Sequence, residues 1–506
     1  MGWKGLNMIV SMLGTRSLNM SNDTNRRTFL KASGAVSTGI LTALAGCTRG
    51  GDGGSNAGSS GGTSDGSSGD GSSGGSSDGG SSDELAIPLS EYDSADIDWQ
   101  QFEGSSINIG AVQHPWVDAI KPAIPVFEEL TGITVNWNIL PEQQFRTKRQ
   151  TDASTGAGQF DVFFMDQVVN QFRNEGWLQP LDPYFNDGSL YDENFYKPDD
   201  LFEASRWQAH GGGYSDTWTG LPITVEVQTQ FYRQDLYDKH GLEVAETWQQ
   251  HRENAKVIHE EESDIVGTAG RGQKGYGMNI YILNTLLRQK GTSLWTEFPT
   301  DSGLDTDGVI EAAEYYTSLL QDYGPEGAST QTWSDVQATM AEGRTGHIVA
   351  DANMFWGGLT NDESSVADTV RIAKVPKPEG GKLNPNAFNW QISTSKNASN
   401  SKQGFLFMLW ATSPPTDLWM NTESSGVFSV RQSVWENDEY RSKVGEDYAQ
   451  VSLESLQEAA PDPFDRKYPQ WGQRYSEELQ RAIAGQKSAE EAMKRAATVA
   501  EDIYSS

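Results

Sequence analysis

Between residues 107 and 174 the chain alternates between two hydrophobic periods. "INIGAV" (107–112) alternates as a strand does and runs into the loop "QHPW". "VDAIKPAIPVFEEL" predicts a helix that stops at Thr131-Gly132, and "ITVNWNIL" predicts the next strand. A second helix is expected over 141–153, ending near "STGAGQ". "FDVFFMD" (160–166) is an apolar run bounded by turn residues, the mark of a parallel strand covered on both faces. "NQFRNEGWLQPL" reads as a helix and then a turn. The order β-α-β-α-β-α calls for an α/β fold, with helices packed on a sheet.

The same reading extends downstream. "LPITVEVQTQFYRQDLYDKHG" (221–241) is expected to be one strand feeding a helix, and "TWQQHRENAKVIHEE" another helix. "EGRTGHIVADANMFW" holds a strand ending at Asp351, and "SKQGFLFMLWATS" (401–413) reads as a buried helix. "KSAEEAMKRAATVAEDIYS" is an amphipathic C-terminal helix with Ser488 at its cap. No internal repeat is present. The globular part has about 400 residues, too many for one simple core, so two lobes are expected.

The N-terminal region has a different character. Arg26-Arg27 followed by "TFLK" resembles a twin-arginine export signal, with Asn25 where that pattern usually has Ser or Thr. The small and apolar run Ala32–Gly46 falls short of the ~20 residues that span a bilayer and fits a signal peptide. Leu44-Ala45-Gly46-Cys47 resembles a lipobox, whose cysteine carries a lipid and becomes the first mature residue. A diacylglyceryl anchor places two chains in the membrane, and two chains hold stably where one does not. Met20 stands just before the arginine pair, so residues 1–19 read as an upstream extension. Cys47 is the only cysteine, which leaves the folded part without a disulfide, a thiolate metal site or a cysteine nucleophile. Residues 48 to about 83 are almost wholly Gly, Ser and Asp and have too little apolar surface to offset ordering entropy. A flexible tether of about 36 such residues has an r.m.s. span of roughly 30–36 Å.

The formal net charge is −32, from 70 acidic residues against 38 Lys plus Arg. Such a surface repels nucleic acid and anionic headgroups. Acids spread through the whole chain suit concentrated salt, where screening removes self-repulsion. The expectation is a salt-adapted protein outside the cytoplasm.

Segments in order from about 107 to 500 resemble the extracellular solute-binding proteins that serve ATP-driven (ABC) sugar importers. The pieces are "FEELTGITVNW", "TDASTGAGQFDVFFMD", "GWLQPLDPYF", "LPITVEVQTQFYRQDLYDKHGL", "ETWQQ", "MAEGRTGHIVADANMFW", "NAFNWQISTSKNASNSKQGFLFMLWATS" and "VFSVRQSVW". "YGPEGASTQTWSDVQATMAEG" and "SSVADTVRIAKVPKPEG" resemble the branch that binds sorbitol and mannitol. The resemblance implies a two-lobe, type II periplasmic-binding-protein fold, with hinge crossovers near Val225–Val227, Phe388–Trp390 and Gly426–Val430. With the N-terminal reading, four regions are expected: a signal over 1–47 ending at lipidated Cys47, a tether over 48–104, and, from the resemblance, one lobe from 105–224 plus 391–426 and another from 228–388 plus 431–506. A sugar or sugar alcohol would lie between the lobes and pass to permease subunits. The protein is expected to be a monomer, lipid-anchored on the outer face of the cytoplasmic membrane, with no cofactor, metal or nucleic-acid partner.

A polyhydroxyl solute needs aromatic faces for its C–H surface and charged or amide groups for its hydroxyls. Ligands of open α/β sheets lie beyond the carboxyl ends of strands, which selects the candidates. His114 and Trp116 follow the first strand, as a hydrogen-bond donor and a stacking face or as a loop-packing pair. Asp166 follows "FDVFFM", as an acceptor or a helix N-cap. Glu226 interrupts an apolar strand, and a buried glutamate needs partners; the family resemblance puts a ligand contact at this hinge position. Asn279 and Tyr281 match a further contact region of the family. Asp351 and Trp356 end a strand where the family often has an aromatic residue. Trp390 sits at a crossover. Arg431 matches a recurring position, as a contact or a lobe-stabilising ion pair.

A secreted glycosidase would also pair carboxylates with aromatic residues, and a sensory receptor subunit would use the same cleft. No HExxH, nucleophile elbow or phosphate loop is present, and "GRGQKG" lacks the Walker spacing. No catalytic residue is expected. The six histidines form no metal pattern; His251 and His259, eight apart, are read as surface residues.

Overall fold

The computed structural model describes residues 85–506, apart from Gly213, Tyr276 and Pro463. The arginine pair, Cys47 and the Gly/Ser/Asp tract lie outside the described residues. The described residues fall within one compact unit.

In chain order the described strands are β1 (Ser106–Val112), β2 (Thr134–Leu140), β3 (Val162–Met165), β4 (Leu221–Pro222), β5 (Glu226–Arg233), β6 (Val266–Ala269), β7 (Trp295–Glu297), β8 (Asp301–Ser302), β9 (Thr345–Ala352), β10 (Val370–Lys374), β11 (Ala387–Phe388) and β12 (Gln391–Thr394). They build two five-stranded sheets and a small β7–β8 hairpin. The first sheet has the order β2-β1-β3-β12-β4, and the second β10-β5-β9-β6 with β11 also paired to β5. β1 is parallel to both β2 and β3, as the alternation predicts. All four residues of β3 are buried, because helices cover both faces of its sheet.

Two local features break the simple reading. The segment expected to be one helix after β1 is three pieces, Pro115–Ile120, a 3₁₀ turn Lys121–Ala123, and Ile124–Thr131. Pro122 lacks the N–H an α-helix needs at that point, so the chain tightens there. The single strand expected within 221–241 divides at Ile223–Val225, and its halves join different sheets: β4 the first, β5 the second. The chain returns between β11 and β12. The two crossings are tied together, since the Ile223 N–H donates to the Trp390 carbonyl (2.8 Å) and the Trp390 N–H to Thr224 Oγ1 (3.3 Å). A third segment joins them where the Val225 N–H donates to the Phe428 carbonyl (3.2 Å).

The packed body starts before residue 105, inside the segment read as tether. Ile87, Tyr92 and Trp99 are buried, and Tyr92 Oη pairs with Thr416 Oγ1 at 2.8 Å. These three side chains supply the apolar area that the Gly/Ser tract lacks. His251 also departs from the surface reading. It is fully buried, its ring 4.1 Å from that of His347, whereas His259 is exposed. The C-terminal helix Ala489–Ser505 begins in a capping box of Ser488 with Glu491.

Candidate functional site

A narrow cleft with room for about 60 Å³ of solvent, within an open space of about 610 Å³, lies between the two sheets. The end of β1 contributes Val112, Gln113 and His114, the helix Glu142–Thr155 after β2 contributes Glu142 and Arg146, and the loop after β3 Gln167. Glu226 comes from the start of β5, Arg271 from just past β6, and Tyr281 from the helix Asn279–Gln289. Trp333, Met354, Phe355, Phe388 and Trp390 are among the apolar walls. Most of these residues stand at or just beyond a strand end, where loops are free to carry function.

Each polar group has a definite posture. His114 caps the helix Pro115–Ile120, its Nδ1 accepting from the Trp116 N–H at 3.1 Å. A nitrogen that accepts carries no proton, so the ring proton sits on Nε2. Nε2 lies 3.9 Å from Glu226 Oε1, beyond hydrogen-bond range. Glu226 is only 7 % exposed, and its Oε1 has no hydrogen-bond partner. The same holds for Tyr281 Oη and Gln167 Oε1. Burial first, and Glu226 second, raise the Tyr281 pKa well above the usual phenol range, so it presents a hydroxyl. Three buried polar atoms from both sheets thus lack partners at one cleft, and each unpaired atom costs free energy.

The two arginines are already engaged. Arg146 donates from Nε to Asp166 Oδ2 (2.8 Å) and pairs with Glu142 (2.8 Å). Arg271 donates to both oxygens of Asp351 and to the Gly277 carbonyl (2.7 Å), with its guanidinium 4.6 Å above the Tyr281 ring. The aromatic wall is continuous: Trp390 packs on His114 (5.6 Å), on Phe388 (5.8 Å) and on Phe164 (6.2 Å).

Of the sequence candidates, His114, Glu226, Tyr281 and Trp390 line the cleft. The other six lie outside its lining. Asp166 is buried, and its partners Arg149 (3.0 Å) and Arg146 outweigh the effect of burial and hold its carboxyl below the usual range. Its Oδ1 also accepts from the Val168 N–H at 3.3 Å. Asp351 holds Arg271 from behind. Trp116 is enclosed in the core against Phe164. Trp356 donates its Nε1–H to the Val444 carbonyl (2.8 Å) and stacks on Tyr448. Asn279 donates to the Ser476 and Gly272 carbonyls. Arg431 donates to the Thr412 and Lys197 carbonyls and pairs with Asp200 (3.5 Å). Sequence reasoning missed Arg146, Arg271 and Trp333. Arg271 was findable: it follows a short β-branched run, "IVGTAG", that ends as β6. Arg146 and Trp333 stand on helices, where the strand-end rule says nothing. Among the described residues no group of three His, Cys, Asp or Glu is placed to hold a metal ion, and no helix is long and apolar enough to cross a membrane.

Two α/β lobes joined by paired crossing segments, with a polar cleft between them, define a two-lobe binding-protein fold. Solved structures of that class superpose along the chain. A solute-binding protein of Agrobacterium vitis with bound D-mannitol matches with a TM-score of 0.69 and 25% identity, over 79% of this chain and 99% of that one. One from Agrobacterium radiobacter in complex with ribitol matches with a TM-score of 0.71 and 18% identity, over the same shares. Residues 112–417 match the family described as bacterial extracellular solute-binding protein, and the chain belongs to that family. Relatives include an erythritol/L-threitol-binding protein of Mycolicibacterium smegmatis, 26% identical over 67% of this chain and 73% of that protein. A mannitol-binding protein of Pseudomonas aeruginosa is 28% identical over 67% and 76%.

Proposed function

We propose that this protein captures a sugar or sugar alcohol in the interlobe cleft and hands it to the permease of an ABC importer. The observation that carries the ligand class is the set of unpartnered buried atoms, Glu226 Oε1, Gln167 Oε1 and Tyr281 Oη, facing aromatic walls. A polyol offers hydroxyls to all three while its C–H face packs on Trp390. The relatives that bind erythritol, threitol and mannitol support the same class. His114, Gln167, Glu226, Tyr281 and Trp390 are the proposed ligand contacts. Asp166 and Asp351 act behind them by orienting Arg146 and Arg271; Trp116, Trp356, Asn279 and Arg431 hold the surrounding framework.

The protein acts as a binding protein and not an enzyme, since its family and relatives are binding proteins. It is a monomer outside the cytoplasm, exported by the twin-arginine route and anchored through lipid on Cys47. Its acidic surface suits concentrated salt. The proposed lobes are 105–224 plus 391–426 and 228–388 plus 431–506, a reading supported by the linked crossings near 223–225, 389–390 and 428. Calorimetry in high salt against erythritol, ribitol, D-mannitol, monosaccharides and disaccharides tests the reading. Binding of a peptide or a metal ion, with none of these solutes bound, rejects it.

A further inference from the structure

We propose that the cleft is a charge filter: it admits uncharged polyhydroxyl solutes and rejects the corresponding sugar acids, with Glu226 setting the rule. The inference rests on the polyol reading above and deepens it.

Arginines in a binding cleft ordinarily invite carboxylates, because a guanidinium fork matches a carboxylate in two parallel bonds. Here the forks are occupied. Arg146 spends its Nε on Asp166 (2.8 Å) and another nitrogen on Glu142 (2.8 Å). Arg271 faces Asp351 with Nε and Nη2 and gives Nη1 to the Gly277 carbonyl. Arg149, deeper still, is taken by Asp166 and the Phe164 carbonyl. His114 brings no charge, since its Nδ1 accepts from the backbone and carries no proton. The carboxylates around the cleft are Glu142, Asp166, Glu226 and Asp351, one more than the three guanidinium groups.

The surplus is localised. Asp166 and Asp351 are the buried partners of the arginines, and Glu142 shares Arg146. Glu226 forms no ion pair with an arginine or lysine: its one basic neighbour is the uncharged His114 at 3.9 Å, Arg271 acts on it only at longer range, and its Oε1 is unpartnered. A hydroxyl satisfies that oxygen by donating to it. A carboxylate has no proton to donate, and it sets a second negative charge beside the first in a water-poor cleft, where like charges repel several times more strongly than in bulk water. Salt screens such a buried encounter only weakly, so the filter survives concentrated salt.

The test compares each alditol of the panel with its aldonate, which carries a carboxylate in place of one terminal CH₂OH: erythritol with erythronate, ribitol with ribonate, D-mannitol with D-mannonate. Calorimetry is run at pH 7.5 and constant ionic strength. The tightest-binding alditol is expected to bind at least about 100-fold more strongly than its aldonate. In Glu226→Gln, whose amide keeps the shape and removes the charge, the ratio is expected to fall below about tenfold. An aldonate bound by the wild type within tenfold of its alditol overturns the filter and leaves the polyol reading standing, and this arm needs no variant to fold. A Glu226→Gln variant that melts normally and keeps the wild-type ratio removes Glu226 as its source. Failure of every neutral solute to bind overturns the polyol reading, and the filter with it.

Discussion

His114 Nε2 and Glu226 Oε1 lie 3.9 Å apart, one side chain from the end of β1 in the first sheet, the other from the start of β5 in the second. The gap is too long for a direct hydrogen bond. One ligand hydroxyl can bridge it, donating to Oε1 while accepting from Nε2–H. Such a bond joins the lobes through the solute.

His114→Asn separates the ligand role of this residue from its structural one. Asn is a good N-cap and can accept from the Trp116 N–H as His114 does. It does not reach Glu226. Thermal stability is expected to stay near wild type while polyol affinity falls about tenfold, the worth of one hydrogen bond. Calorimetry and a melting curve on the same preparation check both; unchanged affinity removes His114 from the site.

Asp351→Ala should destabilise the fold. Arg271 is 6 % exposed, and Asp351 is its counter-ion. Stripping the partner from a buried pair costs about 3–5 kcal/mol. Urea unfolding measures this, and adding Arg271→Met should recover part of the loss. A cost below about 1 kcal/mol contradicts the pair's structural importance.

Acid should weaken the second lobe through two buried histidines. Burial pushes the His251 pKa down to about 3. Burial, helped by His251, holds His347 well below its ordinary value. In the unfolded chain both return to about 6.5. As pH falls from about 6.5 the unfolded chain binds protons that the folded chain refuses, so stability drops, by up to about 1.4 kcal/mol per pH unit for each histidine. Neither ring nitrogen of His251 has a hydrogen-bond partner, so His251→Leu loses no bond. Urea midpoints between pH 7 and 5 should show a shallower slope in the variant; an equal slope rejects the assignment.

Ligand should draw the lobes together. Gln167 and His114 stand in loops of the first sheet, Glu226 at the start of β5 in the second and Tyr281 on the helix Asn279–Gln289, so a solute makes its full set of bonds only when the lobes are close. That difference in affinity is what shifts a conformational population. Small-angle scattering on a chain starting at residue 85 should show a smaller radius of gyration with saturating polyol. An identical profile indicates a rigid cleft.

Cys47→Ser should move the exported protein from washed membranes to the medium, because the anchor reading rests on that one residue. Replacing Arg26-Arg27 with two lysines should block export and leave precursor in the cytoplasm. Retention of the serine variant in membranes rejects the lipid anchor.

The elements were legible where the information is local. Period-two and period-3.6 patterns located β1, β2, β3 and the helices around them, and Ser488 announced the C-terminal helix because its capping partner Glu491 is three residues away. Glu226 could be singled out because a carboxylate inside an apolar strand is anomalous by itself. The strand-end rule also named Asp166 and Asp351, but it locates a residue along a strand and not its partners. Arg271, 80 residues before Asp351, turns that aspartate into a counter-ion, and Arg146 and Arg149 do the same to Asp166. Nor could local pattern reveal that 221–233 divides between two sheets. Its side chains look alike on both sides of Ile223–Val225, and the division is imposed by backbone bonds to Trp390 and Phe428, far along the chain. Sequence by itself determined the α/β class and the acidic character of this protein, because these rest on short-range periodicity and composition, and its ordered segments from 107 to 500 carried the resemblance to the solute-binding family. Which side chains stand free in the cleft was decided only by tertiary structure, because a buried charge is neutralised by whatever folding brings beside it.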